Sequence, residues 1–562
     1  MPPNPSLAEL PVLALDCQTN GANPRAGTII EIGWAIGSAE GCGEDISPAG
    51  VRSSLVRLPD GVELSPASRR ITGLSSGDLC EAPPAGAVWN SLVADLPPAG
   101  GVPCVIHYAR FEMPFLSHWH STFGADRPFP FDVVCCQRIA KRLIPGLPSS
   151  TIRALSGHFG HVMGEAHRAS EHVRATWRIW RALVARLDLE LGIRSWEDLK
   201  SWLAREERPR PAKRVFLLPR VKRLGLPDCP GVYRMIGADG SLLYVGKASS
   251  LRDRVNSYFR TRAIGRARMP EMLAQVHDID VTTVETSLEA ALLEADEIKR
   301  WCPPYNASLR DRGQTIRFRS SDFSRTQAAP DPQFPNGPFT TDAILDLCAA
   351  IDDTLRTGRD PQRILPWAEA ESLCPENTLR AGIAAFAENH PFAARQGIPG
   401  LLQLGARLPV PPDIETEDLG EAVAAADPAP RVWEPADVVA AIEGSLRYAA
   451  RITARARWLT RLCECSLSWC LPGEKRRWLA IQAGQIESRA TVAGFPPTPA
   501  PAGWRRARLD RHRQIDVAAH DRLCVLLSEI RRLVASGNAV ELVTSPWSRF
   551  TATDLERRLN PR

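Results

Sequence analysis

At 562 residues, 44% of them hydrophobic, the chain exceeds what a single core holds, and two to four domains are expected. No run of eighteen uncharged apolar residues occurs, and the opening MPPNPSLAELP lacks a basic segment leading into an apolar one, so neither a membrane span nor a secretory leader is expected. Fourteen cysteines without framework spacing read as reduced thiols of a cytoplasmic protein, and a formal net charge of +5, mostly arginine, fits either a phosphate-binding surface or biased residue usage.

Residues 1–187 alternate strand-like and helix-like patterns. The strand VLALD ends on Asp16, with Gln18 two residues on, and after a turn a second strand pattern runs from Thr28 to Trp34. The helix RASEHVRATWRIWRALVARLDLEL closes this part. Residues 188–225 read as a helical and basic linker. Residues 226–315 form a compact pattern: a strand with Tyr233, a turn at Ala238-Asp239-Gly240, a strand with Tyr244, and a helix capped by Ser249 or Ser250. An amphipathic helix then carries Glu294, with Asn306 just past its end. Residues 316–338 read as a proline-rich connector, and 339–562 as a mainly helical C-terminal region of unassigned role, with short strands suggested around SLSWCLPGEKRRWLAIQAGQIESRATV. The fold class expected is multidomain α/β.

The first part resembles the DEDDh exonucleases, the class containing the proofreading subunit of bacterial DNA polymerases. VLALDCQTNGANPRAGTIIEIGWA stands where that family reads Asp-x-Glu, HYARFEMPFL where it reads His-Asn-Ala-x-Phe-Asp, and HRASEHV where it reads His-Arg-Ala-x-x-Asp-Ala. Asp132 lies where the family has Asp-Thr ahead of a helix. The resemblance implies a ribonuclease-H-like fold and a site of four acids and a histidine. Carried over residue by residue, Asp16 is kept and His167 matches the general base. Gln18 replaces a glutamate, Glu112 an aspartate and His172 the last aspartate. Two metal ions held by hard anionic oxygens do this chemistry. Two carboxylates, Asp16 and Glu112, balance them poorly, so the expectation is an impaired exonuclease that binds or positions DNA. The alternative is a working 3′–5′ exonuclease of altered metal preference.

CPGVYRMIGADGSLLYVGKASSLRDRVNSYF, with SLEAALLEADEIKRWCPPYN further on, is identified as a GIY-YIG nuclease pattern, similar to the incision domain of UvrC and its relative Cho. The match includes Gly-Val-Tyr, Tyr-Val-Gly-Lys-Ala, Leu-Arg-x-Arg-Val-x-Ser-Tyr, Glu-Ala-x-x-Leu-Glu and Pro-Tyr-Asn, in register. The resemblance implies that Glu294 is the one carboxylate holding Mg2+ or Mn2+, and that Tyr244 is the general base. A free phenol titrates near 10, so cations such as Lys247 and Arg254 must lower it. Arg254 would also meet the charge on phosphorus, Tyr233 and Tyr258 would orient water and phosphate, and Asn306 would fix the tyrosine or nearby backbone. Arg254 and Tyr258, four apart, share a helix face. Glu289 sits inside the motif and is assigned no role.

Arg252, Arg260, Arg262, Arg266 and Arg268, with Lys213 and Arg214 of the linker, read as a phosphate-tracking surface or else a solvated basic face. Cys463, Cys465 and Cys470, with Cys524 as a fourth, have poor spacing for zinc and read as buried thiols. The function these patterns imply is a Cho/UvrC-like DNA-repair endonuclease that cuts one strand of damaged duplex, on the 3′ side in nucleotide excision repair, with UvrA and UvrB as partners. A non-catalytic DNA-binding adaptor is the remaining alternative.

Overall fold

The computed structural model describes residues 5–40, 50–97, 101–164, 168–205, 213–260, 268–309, 313–341, 343–359, 364, 374–409, 433–494, 515–544 and 548–559. They fall into two compact units: Met1–Ser287 with Pro303–Ala307, and Leu288–Cys302 with Ser308–Arg562. The first unit therefore runs across the boundary expected near residue 225.

In the first unit, five strands stand in the order β3-β2-β1-β4-β5: β1 Val12–Thr19, β2 Ile29–Gly37, β3 Arg52–Leu55, β4 Val102–Ile106 and β5 Phe131–Cys135. β1, β2 and β3 are antiparallel, while β4 runs parallel to both β1 and β5. Residues 12–18 of β1 are buried throughout because both sheet faces are covered. Side chains alternate across a strand, so Val12 and Ala14 join Trp177 and Trp180 of the helix Ala169–Leu191 in one core. Leu13, Leu15 and Cys17 join Trp89, Phe115 and Trp119 in the other. Asp16 and Gln18 share the parity of Val12 and Ala14, which turns them toward the start of the 169–191 helix.

Within the helical and basic linker expected at 188–225, the first half is helical and packs onto the preceding domain. The 169–191 helix continues past residue 187, and a further helix, Trp196–Ala204, capped by Ser195, buries Trp196, Leu199 and Leu203 in the core that holds Trp180. The apolar residues at i, i+3 and i+7 make one stripe, and the rings of Trp180 and Trp196 meet edge-on at 6.0 Å. Residues 206–212 lie outside the described residues.

The rest of the first unit is built on an antiparallel sheet in the order β7-β6-β8: β6 Gly231–Ile236, β7 Leu242–Ala248 and β8 Asp278–Thr283. Helices Leu251–Tyr258 and Arg268–Leu273 cover it. Tyr233, Met235, Leu243, Val255, Tyr258 and Met272 form its core.

The second unit opens with residues of the helix Ser287–Trp301, whose Leu288 and Leu292 lie in a core with Trp458, Leu467 and Leu527. The stretch expected to be a plain connector at 316–338 instead forms a small sheet, β10-β9-β11, from β9 Arg317–Arg319, β10 Thr326–Gln327 and β11 Asn336–Phe339. Strands of two to four residues leave too little period-two pattern to stand out among prolines. Helices Ala343–Thr357, Glu376–Asn389, Pro391–Gly405 and Pro435–Leu462 pack around Leu345, Leu379, Leu401 and Leu446. The strands suggested near residue 466 are present and long: β12 Glu464–Leu471, β13 Lys475–Gln482 and β14 Gln485–Ala493. With β15 Glu541–Thr544 and β16 Ser548–Thr551 they make an all-antiparallel sheet, β14-β13-β12-β15-β16, beside helices Val517–Ala535 and Ala552–Leu559. The C-terminal region thus combines helices with a five-stranded sheet. No helix among the described residues is long and apolar enough to cross a membrane.

Candidate active sites

The exonuclease-like positions converge at the end of β1. Asp16, Gln18, Glu112 and His172 are all buried. Gln18 Nε2 donates to Asp16 Oδ2 at 2.7 Å, and His172 Nδ1 stands 3.2 Å from both Asp16 Oδ1 and Gln18 Nε2. One ring nitrogen cannot accept from the amide and donate to the carboxylate at once. Burial alone would lower the imidazole pKa, but the Asp16 charge outweighs it and raises His172, so the proton on Nδ1 goes to Asp16. Glu112 turns from the helix Ala109–Phe123 onto the backbone of β1, accepting the Cys17 N–H at 3.1 Å. Burial first, and the Asp16 charge second, push its carboxyl well above the usual range, toward the neutral form. The charge of Asp16 is met by the His172 ring and the Gln18 amide. Among the described residues no group of three or more His, Cys, Asp and Glu gathers as a metal cluster. His167 lies outside the described residues. Asp132 lies apart from this cluster's hydrogen bonds and accepts from Trp196 Nε1 and Lys200 Nζ, each at 2.8 Å.

Glu31 went unread in the sequence. It pairs with Gln18 across β1 and β2, is 1% exposed, and takes both the Arg168 guanidinium and the Ala169 N–H. A carboxylate at a helix N-terminus is held by the backbone dipoles there, and this one sets where the helix bearing His172 begins. The signal was an acid inside the apolar run TIIEIGWA, since a buried charge needs a partner.

The second constellation is assembled by β6, β7 and the helix Leu251–Tyr258. Tyr233 pairs with Gly246 across the two strands. A Cβ on Gly246 would lie 2.3 Å from Tyr233 Oη and 2.8 Å from Tyr244 Cε1, so only glycine lets the two rings approach here. The Tyr233 and Tyr258 hydroxyls are hydrogen-bonded at 2.6 Å, and the three tyrosine rings of 233, 244 and 258 stand 6.1 to 6.5 Å apart. Burial drives the Tyr233 phenol well above its ordinary pKa, with the neighbouring phenols adding to it, so it stays protonated. Ser250, rather than Ser249, caps the 251–258 helix through the Asp253 N–H. One turn on, the Arg254 guanidinium lies 5.2 Å over the Tyr258 ring and reaches the Tyr233 hydroxyl. Tyr244 and Lys247 are half-buried on β7. Asn306 is buried, accepting the Val245 N–H at 3.0 Å and donating to the Val245 C=O at 2.9 Å.

Glu294 is half-buried on the helix Ser287–Trp301 of the second unit. Glu289, on the same helix, is buried and takes Arg477 Nη2 at 2.5 Å and Arg489 Nη1 at 3.3 Å, an ion pair within the second unit.

Of the basic residues, Arg252 pairs with Asp228, and Arg268 donates to the Pro304 C=O while lying over the Tyr305 ring. Arg260, Lys213 and Arg214 are exposed, and Arg262 and Arg266 lie outside the described residues. Cys463, Cys465 and Cys524 are buried free thiols, and Cys470 is half-buried. Burial pushes the Cys463 thiol up to about 12, and Cys524 stands 3.7 Å from His520 Nδ1.

Residues 229–307 match the family model described as a UvrC-like GIY-YIG domain. A protein of Mycobacterium tuberculosis, provisionally named as a bifunctional exonuclease/endonuclease, is 30% identical over 387 residues, which cover 66% of this chain and 58% of that protein. The UvrABC system protein C of Xanthomonas campestris pv. campestris is 55% identical over 116 residues, 20% of this chain and 19% of its own. The chain thus spans less than two thirds of the length of either relative. The GIY-YIG N-terminal endonuclease domain of UvrC from Thermotoga maritima, solved with magnesium as its catalytic cation, is 32% identical and covers 16% of this chain and 94% of its own, with a TM-score of 0.15.

Proposed function

We propose that this chain, whose residues 229–307 are a UvrC-like GIY-YIG domain following an exonuclease-like domain, is a DNA-repair endonuclease that hydrolyses one strand of damaged duplex. The observation that carries the reading is the complete tyrosine–arginine cluster of Tyr233, Tyr244, Tyr258 and Arg254 around a glycine that only a close ring approach requires.

In this reading Tyr244 accepts the proton of the attacking water, and Arg254 and Lys247 favour its phenolate by their charge. Tyr233, kept protonated and hydrogen-bonded to the Tyr258 hydroxyl, orients the phosphate side. Arg254 offsets the charge that develops on the phosphoryl oxygens. Glu294 is the ligand for a divalent cation, Mg2+ or Mn2+, whose chemistry when bound is Lewis-acid stabilisation of the phosphate and of the leaving oxygen. A single half-buried carboxylate, with no cluster of three ligands among the described residues, fits a hard cation that keeps most of its waters. The products carry 5′-phosphate and 3′-hydroxyl ends. Incision on the 3′ side of a lesion in nucleotide excision repair, delivery by UvrA and UvrB, and a cytoplasmic location belong to the same reading.

The exonuclease-like domain binds or positions DNA and cuts weakly or not at all. What supports this is that Gln18 and His172 already satisfy Asp16, and that Glu112 is driven toward its neutral form. End-labelled damaged duplex with Mg2+, with and without UvrA and UvrB, tests the whole. A discrete nick is expected from the intact chain, and its loss by about a hundredfold or more in Tyr244→Phe and Glu294→Gln. Nicking that survives both substitutions would remove the assignment.

A further inference from the structure

The segment that holds the strand of Tyr244 is tied to the exonuclease-like part by a continuous run of side-chain hydrogen bonds within the first unit. Thr151 caps the helix Ile152–His158 by accepting the Ala154 N–H, and its hydroxyl donates to Glu271 Oε2 at 2.7 Å. The other oxygen of Glu271 accepts from the Tyr305 hydroxyl at 2.9 Å. Tyr305 belongs to the Pro-Tyr-Asn segment: its N–H donates to the Leu243 C=O at 3.1 Å, and its neighbour Asn306 makes both bonds to Val245. Leu243 and Val245 flank Tyr244 on β7.

The contact is packed as well as bonded. Gln275 is 1% exposed and donates both to the Glu271 C=O and to the Tyr305 hydroxyl. A Cβ on Gly157 would stand 2.3 Å from Gln275 Cγ, so the 152–158 helix seats on that side chain without any gap. Val162 joins the Tyr233 core, and its N–H donates to Asp239 Oδ2 at 3.3 Å. On the far side of Thr151, the Ser150 C=O is met by His107 Nε2 and Gln137 Nε2, at 3.2 and 3.3 Å. A UvrC-like GIY-YIG domain standing alone has no Thr151 to offer Glu271.

We infer that the exonuclease-like domain is a positioning element of the endonuclease site, acting through Thr151, Glu271 and Tyr305 on the strand that carries Tyr244. The three are positioning residues, not catalytic ones: they act through their hydrogen bonds to one another and through the Tyr305 N–H on the Leu243 C=O, next to Tyr244 in the chain. Fixed hydrogen bonds between rigid elements transmit such restraint, and a catalytic side chain displaced by about 1 Å can lose about a hundredfold in rate. The inference rests on the endonuclease reading for its effect on rate, but not for its effect on the strand.

The test uses the full chain. Amide hydrogen exchange is followed over 242–248 and 303–307, with 12–19 as the internal reference, in wild type, Thr151→Val, Thr151→Ser, Tyr305→Phe and the double variant Thr151→Val/Tyr305→Phe. Exchange over 242–248 and 303–307 is expected to quicken about tenfold in Thr151→Val and in Tyr305→Phe, while 12–19 is unchanged and Thr151→Ser matches wild type. The double variant is expected to add little to either single one, because one break already opens the run. Nicking should follow, with kcat reduced about five- to twentyfold and KM held. Unchanged exchange over 242–248 in Thr151→Val, or additive effects in the double variant, overturns the inference whatever the nicking does. A wild-type chain that does not nick, with the exchange response present, removes only the endonuclease reading.

Discussion

The carboxamide of Asn306 makes two hydrogen bonds to one residue, accepting the Val245 N–H at 3.0 Å and donating to the Val245 C=O at 2.9 Å. Since β7 pairs with β6 on one side only, its outward backbone groups would otherwise be orphans in a buried place. Asn306→Ala is expected to cost about 2–4 kcal/mol of stability by leaving both groups unpaired, and to slow nicking further than that loss explains. Asn306→Asp keeps the acceptor but faces a carboxylate to a carbonyl, so it should not restore the rate. Denaturant unfolding alongside single-turnover nicking separates the two effects, and an N306D chain as active as wild type would refute the double-bond account.

Gly246 is expected to tolerate no side chain. Gly246→Ala drives a methyl against Tyr233 Oη and Tyr244 Cε1, an overpacking of about 1–3 kcal/mol that moves both rings. Near-ultraviolet circular dichroism, which reports tyrosine packing, should change while far-ultraviolet signal holds. An unaltered tyrosine spectrum would show that the rings have room.

Carboxylates at positions 18 and 172 should create a cation site in the first domain. In a Glu294→Gln background, Gln18→Glu with His172→Asp replaces an amide and an imidazole by carboxylates beside Asp16 and Glu112. Calorimetric titration with Mn2+ should then show an added site binding at least about tenfold tighter than any in the parent, accompanied by trimming of 3′ ends. Equal titrations for parent and variant would refute the expectation that carboxylates at 18 and 172 create the site.

The second unit carries a histidine whose protonation stabilises the fold. Burial alone would lower His520, but hydrogen bonds to Asp521 and Cys524, with their charges, lift it to about 9 from an ordinary 6.5. A raised pKa means that the folded state holds the proton more tightly than the unfolded chain. The stabilisation, on the order of 1 to 3 kcal/mol, is therefore complete below pH 6.5 and fades as the pH rises to about 9 and beyond. Urea titrations of wild type and His520→Gln should show the largest gap at pH 6 and almost none at pH 10, and a gap that widens with pH would reverse the assignment.

Both nuclease resemblances were legible because each is carried by short motif segments in a fixed order, even where the segments themselves lie far apart, as Asp16 and His172 do at 156 residues. Tyr233, Gly246, Arg254 and Tyr258 lie within 26 positions, and their geometry follows from strand pairing and a helical turn. Gln18 and His172 stand at motif positions where the resembled family carries acids, and they were read from the sequence in that way. Less legible were Trp196, Leu199 and Leu203, whose stripe reads alike whether it packs or floats, and the short strands between residues 317 and 339, where two to four residues carry no period.

By itself, then, the amino-acid order determined the motif segments and the family pattern each resembles; within Tyr233–Tyr258, strand pairing and a helical turn bring near neighbours together, whereas Asp16 and His172, 156 residues apart, meet only in the folded chain. Only the folded chain decided what meets them from afar: Glu31 beneath the helix of His172, 138 residues before Ala169, and Thr151 against Glu271, 120 residues apart. Contacts of that span depend on how whole elements pack, and no spacing in the sequence encodes them.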